Sequence, residues 1–400
     1  MPPFAPSSVR AAVAADIRRH GPIPLDQVLE RALYDRDGGF YESGGRAGRQ
    51  GDFLTSPEVG PLFGAVIARA LDAWWLDLGS PDPYVVVDAG AGPGTLARTI
   101  LAAAPACAPA LRYVLVERSA AQRRLHAQGL PLEDPALAFA PVDPDTEAPV
   151  PEAPEGPICV SLADLPRLTG PSVVLANELL DNLPFGLAEH RSGEWLEVRV
   201  DLHTPASGPF PSPAAGEGSF ERLVERRVPL APDRAALLDR LVPTPTDGAR
   251  VPIQSAAGTW LRDALAVATP RGRVVAIDYA TMTADLASRP QGEWLRTYAA
   301  HHRGASPLAN LGTQDVTCEV AIDQLAQIRP PTSDMSQADW LRHWGMDDLV
   351  EAARQAWRAR AHAPDLAALA ARSRVTEADA LLDPEGLGRF RVLEWFAVSR

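Results

Sequence analysis

The stretch Asp88-Ala89-Gly90-Ala91-Gly92-Pro93-Gly94, which closes a short apolar run at residues 84–89, decides the fold. The run is rich in valine and lacks polar alternation, which is typical of a strand buried on both faces. Glycines at a strand-to-helix turn let the backbone approach a ligand closely and adopt a positive φ. An apolar helix over residues 96–104 and a second strand over 113–117 complete a βαβ unit, which predicts a parallel sheet with right-handed crossovers.

Two further buried strands, over residues 173–176 and 273–279, extend this pattern to an α/β fold with a mainly parallel sheet. Residues 8–33 have the spacing of two helices, whereas residues 187–268 interrupt the rhythm of strands and helices, as an insertion would. The predicted organisation is an N-terminal helical cap with a glycine-rich loop (residues 1–82), a core (83–328) with an insertion at about 187–268, and a mainly helical C-terminal region with a final strand (329–400).

The basic residues of the chain are unusual, because all 38 are arginines and none of the 400 residues is lysine. Without the ε-amine of lysine, the chain cannot form a Schiff base with pyridoxal phosphate or with a carbonyl substrate. It also lacks the phosphate-binding lysine of a P-loop. The net charge of −13 argues against a general phosphate-binding surface, so we expect no nucleic-acid partner.

The three cysteines, Cys107, Cys159 and Cys318, show neither disulfide nor metal spacing, which favours a reducing, cytoplasmic location. The sequence contains no run of 18 apolar residues, so we expect no membrane partner. The eight histidines lack the spacing of metal ligands, and we expect no metal site. A homo-oligomer is compatible with the sequence, which does not fix the oligomeric state.

Glu117, at the end of the second predicted strand, indicates that the glycine turn binds a nucleoside. A carboxylate at this place accepts two hydrogen bonds from the cis-diol of a ribose. The dinucleotide fingerprint G-x-G-x-x-G requires glycine where this chain has Thr95, which disfavours a nicotinamide cofactor. The spacing G-x-G-x-G between two acids resembles that of S-adenosylmethionine-dependent methyltransferases, and a plain tight turn is the alternative. The predicted cofactor-binding residues are Asp88, Gly90, Gly92, Gly94 and Glu117.

Three further stretches carry a more specific resemblance. The loop Gly51-Asp52-Phe53-Leu54-Thr55-Ser56-Pro57-Glu58 with Phe63-Gly64 resembles the N-terminal signature of the MidA-type family, whose mitochondrial members assist the assembly of respiratory complex I. The stretch Ala176-Asn177-Glu178-Leu179-Leu180-Asp181-Asn182-Leu183-Pro184 is similar to the NE-x-x-D-x-LP motif of that family. A later family signature is similar to Leu295-Arg296-Thr297-Tyr298, His301, Gly312, Asp315 and Thr317. With the ending 390–393, the similarity touches residues 20–320 and 386–395.

The resemblance implies a class I methyltransferase (Rossmann-like) sheet with an N-terminal helical cap and inserted segments. It also implies S-adenosyl-L-methionine as cofactor and, for the mitochondrial members, methylation of an arginine on a complex I subunit. This chain departs from the family twice. It has Asp278-Tyr279-Ala280 where the family has Asp-Tyr-Gly, and Val320-Ala321-Ile322 where the family has Val-Asp-Phe. Neither departure touches the cofactor motifs, and both concern the substrate.

Methyl transfer from a sulfonium requires that the protein align the reacting groups and exclude water. An arginine acceptor also requires carboxylates, because a guanidinium is a permanently charged fork of donors. We therefore assign Glu178 as the guanidinium clamp, Asp181 as its support and Asn177 as a polar orienter. A helix N-cap or first-turn position is the alternative reading of each acid. The predicted substrate-contacting or lid residues are Asp52, Thr55, Pro57, Glu58, Arg296, His301 and Asp315.

The leading interpretation is thus a methyltransferase that acts on protein arginine. A methyltransferase that modifies an oxygen or nitrogen of a small molecule is the second enzyme class, favoured by the two departures on the substrate side. A third class is an assembly factor that binds the cofactor with little turnover. A nicotinamide dehydrogenase is a more distant alternative because of Thr95.

Overall fold

The computed structural model describes residues 8–44, 55–139, 155–168, 170–203, 221–268, 271–299 and 302–397. The chain divides into two compact units. The larger unit consists of Arg46–Asp181, Thr259–Ala280 and Leu325–Arg400, and the smaller unit consists of Met1–Gly45, Asn182–Gly258 and Thr281–Gln324. This division differs from the three consecutive parts expected from the sequence, since each unit combines segments that are distant along the chain.

The larger unit contains a sheet of seven strands within the described residues. These strands are β1 (Tyr84–Ala89), β2 (Leu111–Val116), β3 (Ile158–Leu162), β4 (Ser172–Asn177), β5 (Arg273–Asp278), β6 (Ser333–Ser336) and β7 (Arg391–Phe396). Their spatial order is β3-β2-β1-β4-β5-β7-β6. The first five are parallel to one another, and β7 is antiparallel to both β5 and β6. The mainly parallel α/β sheet predicted from the sequence is confirmed.

The strand order places the glycine turn at a reversal of the sheet. From β1 the chain continues outward through β2 and β3, and it then returns to the other side of β1 to form β4. The register between β1 and β4 ends at the pair Ala89 and Ala176, so the chain leaves β1 after Ala89 and β4 after Asn177 at the same edge of the sheet. In open α/β sheets, ligands bind beyond the carboxyl ends of the strands at such a reversal.

Helices cover this sheet because their apolar faces require burial. The helix Pro61–Asp77 contributes Phe63, Ile67, Leu71 and Trp74, all of which are buried in the core that the helices share with the sheet. The described α-helices of the larger unit are Ser56–Val59, Pro61–Asp77, Thr95–Ala102, Ala120–Gly129, Pro135–Ala138, Gln337–His343, Met346–Arg360 and Leu366–Leu381. The 3-10 turns are Ala108–Ala110, Leu180–Asn182 and Leu387–Arg389.

The smaller unit combines helices with antiparallel strands. Its helices are Ser8–His20, Leu25–Tyr34, Pro232–Leu241, Thr283–Ser288 and Gln291–Trp294. Its strands are Ile23–Pro24, Gly186–Arg191, Glu194–His203, Arg222–Pro229, Arg250–Ile253, Leu295–Ala299, His302–Arg303 and Asp315–Cys318. The strand Val320–Ala321 also belongs to this unit. Three further elements have residues assigned to both units: the strand Ala280–Thr281 and the helices Ser255–Ala268 and Ile322–Ala326.

A shared core explains why the N-terminal helices belong to the smaller unit. Val13 and Val28, from the first two helices, are fully buried in one cluster with Val198 and Val200 of the Glu194–His203 strand and with Trp294. The expected cap therefore completes the core of the inserted segment. No helix in the described ranges is long and apolar enough to span a membrane. The described residues also contain no group of three or more histidines, cysteines and acids that could hold a metal ion.

Candidate active site

The glycine turn that follows β1 adopts the backbone conformation that only glycine accepts easily. Gly90, Gly92 and Gly94 have φ values of 71°, 52° and 78°. A Cβ atom added to Gly90 would lie 2.8 Å from Cδ1 of Leu179, so the close packing of that side chain also requires glycine. A Cβ on Gly92 would meet no atom within 4 Å. The backbone at Gly92 therefore faces open space, as a turn that cradles a ligand must.

Glu117, which follows β2, supports this turn directly. Its Oε2 accepts a hydrogen bond from the backbone N–H of Gly92 over 3.0 Å, and its Oε1 accepts one from the N–H of Ser119 over 2.7 Å. The side chain is half-buried. Because each carboxylate oxygen carries two lone pairs, Glu117 retains the capacity to accept hydrogen bonds from a ribose diol. The residue thus combines the predicted nucleoside contact with a second role in shaping the turn.

Asp88 is placed differently from its prediction as a cofactor-binding residue. The side chain is only 2% exposed, and its Oδ2 accepts a hydrogen bond from the Tyr113 hydroxyl over 3.0 Å. Burial raises the pKa of Asp88 to about 7, the hydrogen bond from Tyr113 opposes this shift, and the charge of Glu117 adds to it. Asp88 therefore stabilises the base of the turn from inside the sheet and does not present its carboxylate at the surface.

Glu178 lies directly after β4, beside the glycine turn. Its φ of 52° is unusual for a residue with a side chain and costs on the order of 1 kcal/mol. Its N–H donates to the carbonyl of Ile277 over 2.8 Å, and its Oε1 accepts hydrogen bonds from the N–H of Ser56 (2.8 Å) and from Nδ2 of Asn177 (3.1 Å). Burial raises the pKa of Glu178 to about 8, the Ser56 hydrogen bond opposes this shift, and the charge of Asp181 adds to it.

Asp181 and Asp278 form a second acidic pair at the same edge of the sheet. Oδ2 of Asp278 accepts hydrogen bonds from the N–H groups of Leu180 (3.0 Å) and Asp181 (3.2 Å), and Oδ2 of Asp181 accepts one from the Tyr279 hydroxyl (2.5 Å). Both carboxyl groups are 3% exposed. Burial and the charges of Asp181 and Glu178 raise the pKa of Asp278 well above its ordinary value. Asp278 thus holds the turn that follows Glu178 from β5, and the carboxylate of Asp181 is held by Tyr279. The role of Asp181 as support for a guanidinium clamp stays a prediction.

The segment Thr55-Ser56-Pro57-Glu58 reaches this site, but through different residues from those predicted. The Ser56 backbone contacts Glu178, and the Ser56 hydroxyl donates to Gln337 over 3.1 Å. Glu58 accepts a hydrogen bond from the Thr95 hydroxyl over 2.6 Å. Thr55 and Pro57 flank the start of the short helix Ser56–Val59. Asp52, the other predicted lid acid, lies outside the described residues.

The later family signature belongs to the smaller unit. Arg296 is half-buried, and its Nε donates to the carbonyl of Glu293 over 3.0 Å. Asp315 is fully buried and accepts hydrogen bonds from Asn182 Nδ2 and from the Tyr41 hydroxyl, each over 3.1 Å. Asp315 therefore stabilises the interior of this unit, which corrects its prediction as a substrate-contacting acid. His301 lies outside the described residues.

Sequence reasoning missed three residues of the site. Ser56 lies inside the N-terminal family signature, but it contacts Glu178 through its backbone N–H. A pattern of residue types does not indicate a backbone contact of this kind. Asp278 ends a buried strand, and an acid at the carboxyl end of such a strand indicates a residue near the ligand site. His126 gave no signal, because a single histidine on a helix is common in protein cores. In the structure, its Nε2 lies 2.7 Å from the carbonyl oxygen of Gly92.

The turn and its neighbours fit a nucleoside with an anionic or polar attachment. Gly92 leaves the backbone open, the helix Thr95–Ala102 begins directly behind it, and Glu117 offers lone pairs to a diol. A family model of S-adenosyl-L-methionine-dependent methyltransferases matches residues 66–338. The chain belongs to this family. Membership confirms the MidA-type resemblance and the predicted cofactor class, and it rules against the nicotinamide alternative.

Two similar relatives each match about half of the chain. The mitochondrial protein arginine methyltransferase NDUFAF7 homolog of Drosophila melanogaster is 31% identical over 229 residues, which is 55% of this chain and 49% of that protein. Protein arginine methyltransferase NDUFAF7 of Mus musculus is 28% identical over 244 residues, which is 56% of this chain and 54% of that protein. The chain thus spans about half the length of these curated relatives.

A solved structure supports the fold over the whole chain. A COG1565 superfamily member and likely methyl transferase from Burkholderia thailandensis, crystallised with S-adenosyl-homocysteine, is similar with a TM-score of 0.74 at 24% identity. The match covers 100% of this chain and 96% of that one. It confirms the predicted class I methyltransferase architecture.

Proposed function

We propose that this protein transfers a methyl group from S-adenosylmethionine to an arginine guanidinium of a protein substrate. The observation that carries the proposal is the position of Glu178. Its carboxyl group follows β4, the neighbour of β1, and it is held by the N–H of Ser56 beside the glycine turn. A carboxylate next to the cofactor turn suits a planar cation such as guanidinium. The names of the NDUFAF7 relatives support the same acceptor.

The chain offers distinct groups to the cofactor and to the acceptor. Gly92 provides an open backbone in a turn that the positive φ values of Gly90 and Gly94 permit, and Glu117 provides acceptors for ribose hydroxyls. When bound, S-adenosylmethionine supplies a methyl group on a positively charged sulfur. The protein then mainly aligns the acceptor and excludes water, so no covalent nucleophile is required.

Methylation of a guanidinium requires an acid residue that orients the acceptor and then accepts a proton from it. A guanidinium that gains a methyl group must release one proton, because the product carries the same charge as the substrate. Glu178 has a pKa of about 8, which is close to neutral pH, and such a group exchanges protons efficiently. In its ionised form Glu178 orients the guanidinium, and it then accepts the released proton. Asp181 and Asp278 keep its turn in place.

Labelled methyl transfer onto a cell lysate tests this function. The full chain is incubated with methyl-labelled S-adenosylmethionine and lysate, and label is measured in hydrolysed protein and in the small-molecule fraction. We expect methylarginine in the protein fraction. Label in small molecules alone would replace the acceptor with a small molecule. Absence of label, while S-adenosylhomocysteine still binds, would favour an assembly factor.

The proposed partner is accordingly a protein that presents an arginine to this site. The cytoplasmic location inferred from the three cysteines stays a prediction. All three are buried, and none of them forms a disulfide within the described residues.

A further inference from the structure

The peptide groups of Gly92 are held on both sides by side chains. Its N–H donates to Glu117, and its carbonyl oxygen lies 2.7 Å from Nε2 of His126. The other ring nitrogen of His126, Nδ1, lies 2.8 Å from the hydroxyl oxygen of Ser161 on β3. We propose that His126 is a positioning residue for the cofactor: it fixes the Gly92 carbonyl and thereby sets the affinity of the turn for S-adenosylmethionine. This inference rests on the proposed function.

The contacts determine which nitrogen of His126 carries the proton. A carbonyl oxygen can only accept, so Nε2 must be the donor to Gly92. Burial lowers the pKa of His126, the hydrogen bond to Gly92 opposes this shift, and the charges of Arg123 and Arg98 add to it. The ring is therefore neutral near pH 7, and Nδ1 accepts a hydrogen bond from the Ser161 hydroxyl. The Gly92 carbonyl fixes this tautomer, and the Ser161 hydroxyl stabilises it by donating to Nδ1.

The position of the His126 ring indicates that its contact with Gly92 shapes the glycine turn in addition to filling the core. His126 is fully buried in the last turn of the helix Ala120–Gly129. A Cβ atom added to Gly94 would lie 3.4 Å from Cδ2 of the ring, so the ring packs directly against the turn. Gly92, by contrast, faces open space. One face of the turn is thus fixed by His126, while the other face remains open for a ligand.

A rigid turn binds its ligand more tightly because ordering costs are avoided on binding. Glycine at positive φ is otherwise free to rotate, since it has no side chain to restrict it. The two hydrogen bonds on Gly92 remove this freedom before the cofactor arrives. Loss of the His126 bond leaves a carbonyl without its partner and releases the turn. We therefore expect a loss of cofactor affinity that exceeds the loss of stability.

Calorimetric binding of S-adenosylhomocysteine to the full chain tests the proposal. His126→Leu removes the donor and should weaken binding about tenfold or more. His126→Gln offers an amide donor near the position of Nε2 and should restore affinity to within about threefold of wild type. Ser161→Ala should weaken binding by a smaller factor, because the buried Nδ1 then lacks its donor and the tautomer that bonds to Gly92 is less stable. Ser172→Ala is the matched control: its hydroxyl bonds to the carbonyl of Val267, away from the turn, and affinity should not change.

A second readout separates positioning from folding. Nitrogen-15 NMR of the imidazole rings, without ligand, should show His126 as the neutral tautomer protonated at Nε2, and Ser161→Ala should shift this signal. Equal affinity of wild type and His126→Leu would overturn the proposal. So would a Gln variant as weak as the Leu variant. If His126→Leu does not fold, Ser161→Ala decides: wild-type affinity with a shifted tautomer would contradict the proposal. Failure of the wild-type chain to bind would instead overturn the proposed function.

Discussion

The backbone N–H of Ser56 donates a hydrogen bond to Oε1 of Glu178 over 2.8 Å. This contact joins a segment near the start of the larger unit to the residue that follows β4. A backbone donor fixes the carboxyl group without adding a charge, so the acid keeps a raised pKa and a defined orientation. Within the proposed function, this contact accounts for both roles assigned to Glu178, the orientation of the acceptor and the exchange of a proton near neutral pH.

The raised pKa of Glu178 predicts a pH-dependent stability. In the unfolded chain a glutamate titrates near 4.5, and in the folded protein Glu178 titrates near 8. Between these values the folded state holds a proton that the unfolded state has lost, so the free energy of unfolding falls as pH rises. The slope from this group is at most about 1.4 kcal/mol per pH unit.

Denaturant unfolding of wild type and Glu178→Gln between pH 5 and 8 measures this effect. Asp88 contributes in the same direction in both proteins and cancels in the difference between the curves. Because the charge of Glu178 also raises the pKa of Asp278, that difference reports Glu178 together with its effect on Asp278. We expect the glutamine variant to gain stability relative to wild type as pH rises. Parallel curves would show that the glutamate is ionised throughout.

The same group predicts the pH dependence of the reaction. A guanidinium clamp requires the ionised form, whose fraction falls about tenfold for each pH unit below the pKa. We expect kcat/KM for the acceptor to rise from pH 6 to about 8 and then to level off. Steady-state rates at saturating S-adenosylmethionine provide the measurement. A flat profile between pH 6 and 8 would contradict the assignment of Glu178 to the acceptor.

Because Gly92 faces open space, its substitution by alanine should lower cofactor affinity in addition to straining the backbone. In Gly92→Ala the new methyl group would project into open space, and the φ of 52° would become strained by about 1–2 kcal/mol. We expect binding of S-adenosylhomocysteine to weaken tenfold or more by calorimetry. Gly79→Ala is the matched control, since Gly79 has a φ of 85° and also faces open space. Both variants should lose similar stability, and an equal loss of affinity in both would remove the turn from the site.

We expect the hydroxyl of Thr95 to stabilise the short helix Ser56–Val59 against local unfolding. It donates to Glu58 over 2.6 Å and accepts a hydrogen bond from Arg98 over 2.7 Å. In Thr95→Val the shape is retained while both bonds are lost, so amide exchange of this helix should accelerate about tenfold. Hydrogen-exchange mass spectrometry measures the change.

Thr99→Val serves as the control for this prediction. Among the described residues, the hydroxyl of Thr99 bonds within its own helix, to the carbonyls of Thr95 and Leu96. Its exchange profile over residues 56–59 should match wild type. Unchanged exchange in both variants would mean that Glu58 is held by other contacts.

The central strands could be predicted from the sequence because each is a short, continuous run of apolar residues. The valine-rich run at 84–89 coincides with β1, and the run at 273–279 ends one residue beyond β5. Burial on both faces leaves a continuous apolar run that a sequence displays directly. By contrast, β3 (Ile158–Leu162) was not predicted, since it is short, mixes cysteine and serine with apolar residues, and follows a proline-rich stretch.

The division into units was missed because it depends on packing between distant segments. Helical spacing in residues 8–33 reveals two helices, but it does not reveal that Val13 packs in one core with Val198. The site shows the same limit. The family motif singled out Glu178, whereas the backbone contact of Ser56 and the contact of His126 with Gly92 follow from three-dimensional contacts alone.

Transfer of labelled methyl groups to protein arginine by wild type and by Glu178→Gln is the most direct test of the account. Glu351→Gln, on the exposed face of the helix Met346–Arg360, provides the matched control. With S-adenosylhomocysteine affinity equal in all three proteins, Glu178→Gln should form methylarginine at least about 100-fold more slowly, while Glu351→Gln should match wild type. Methylarginine formed at the wild-type rate by Glu178→Gln would contradict the central claim.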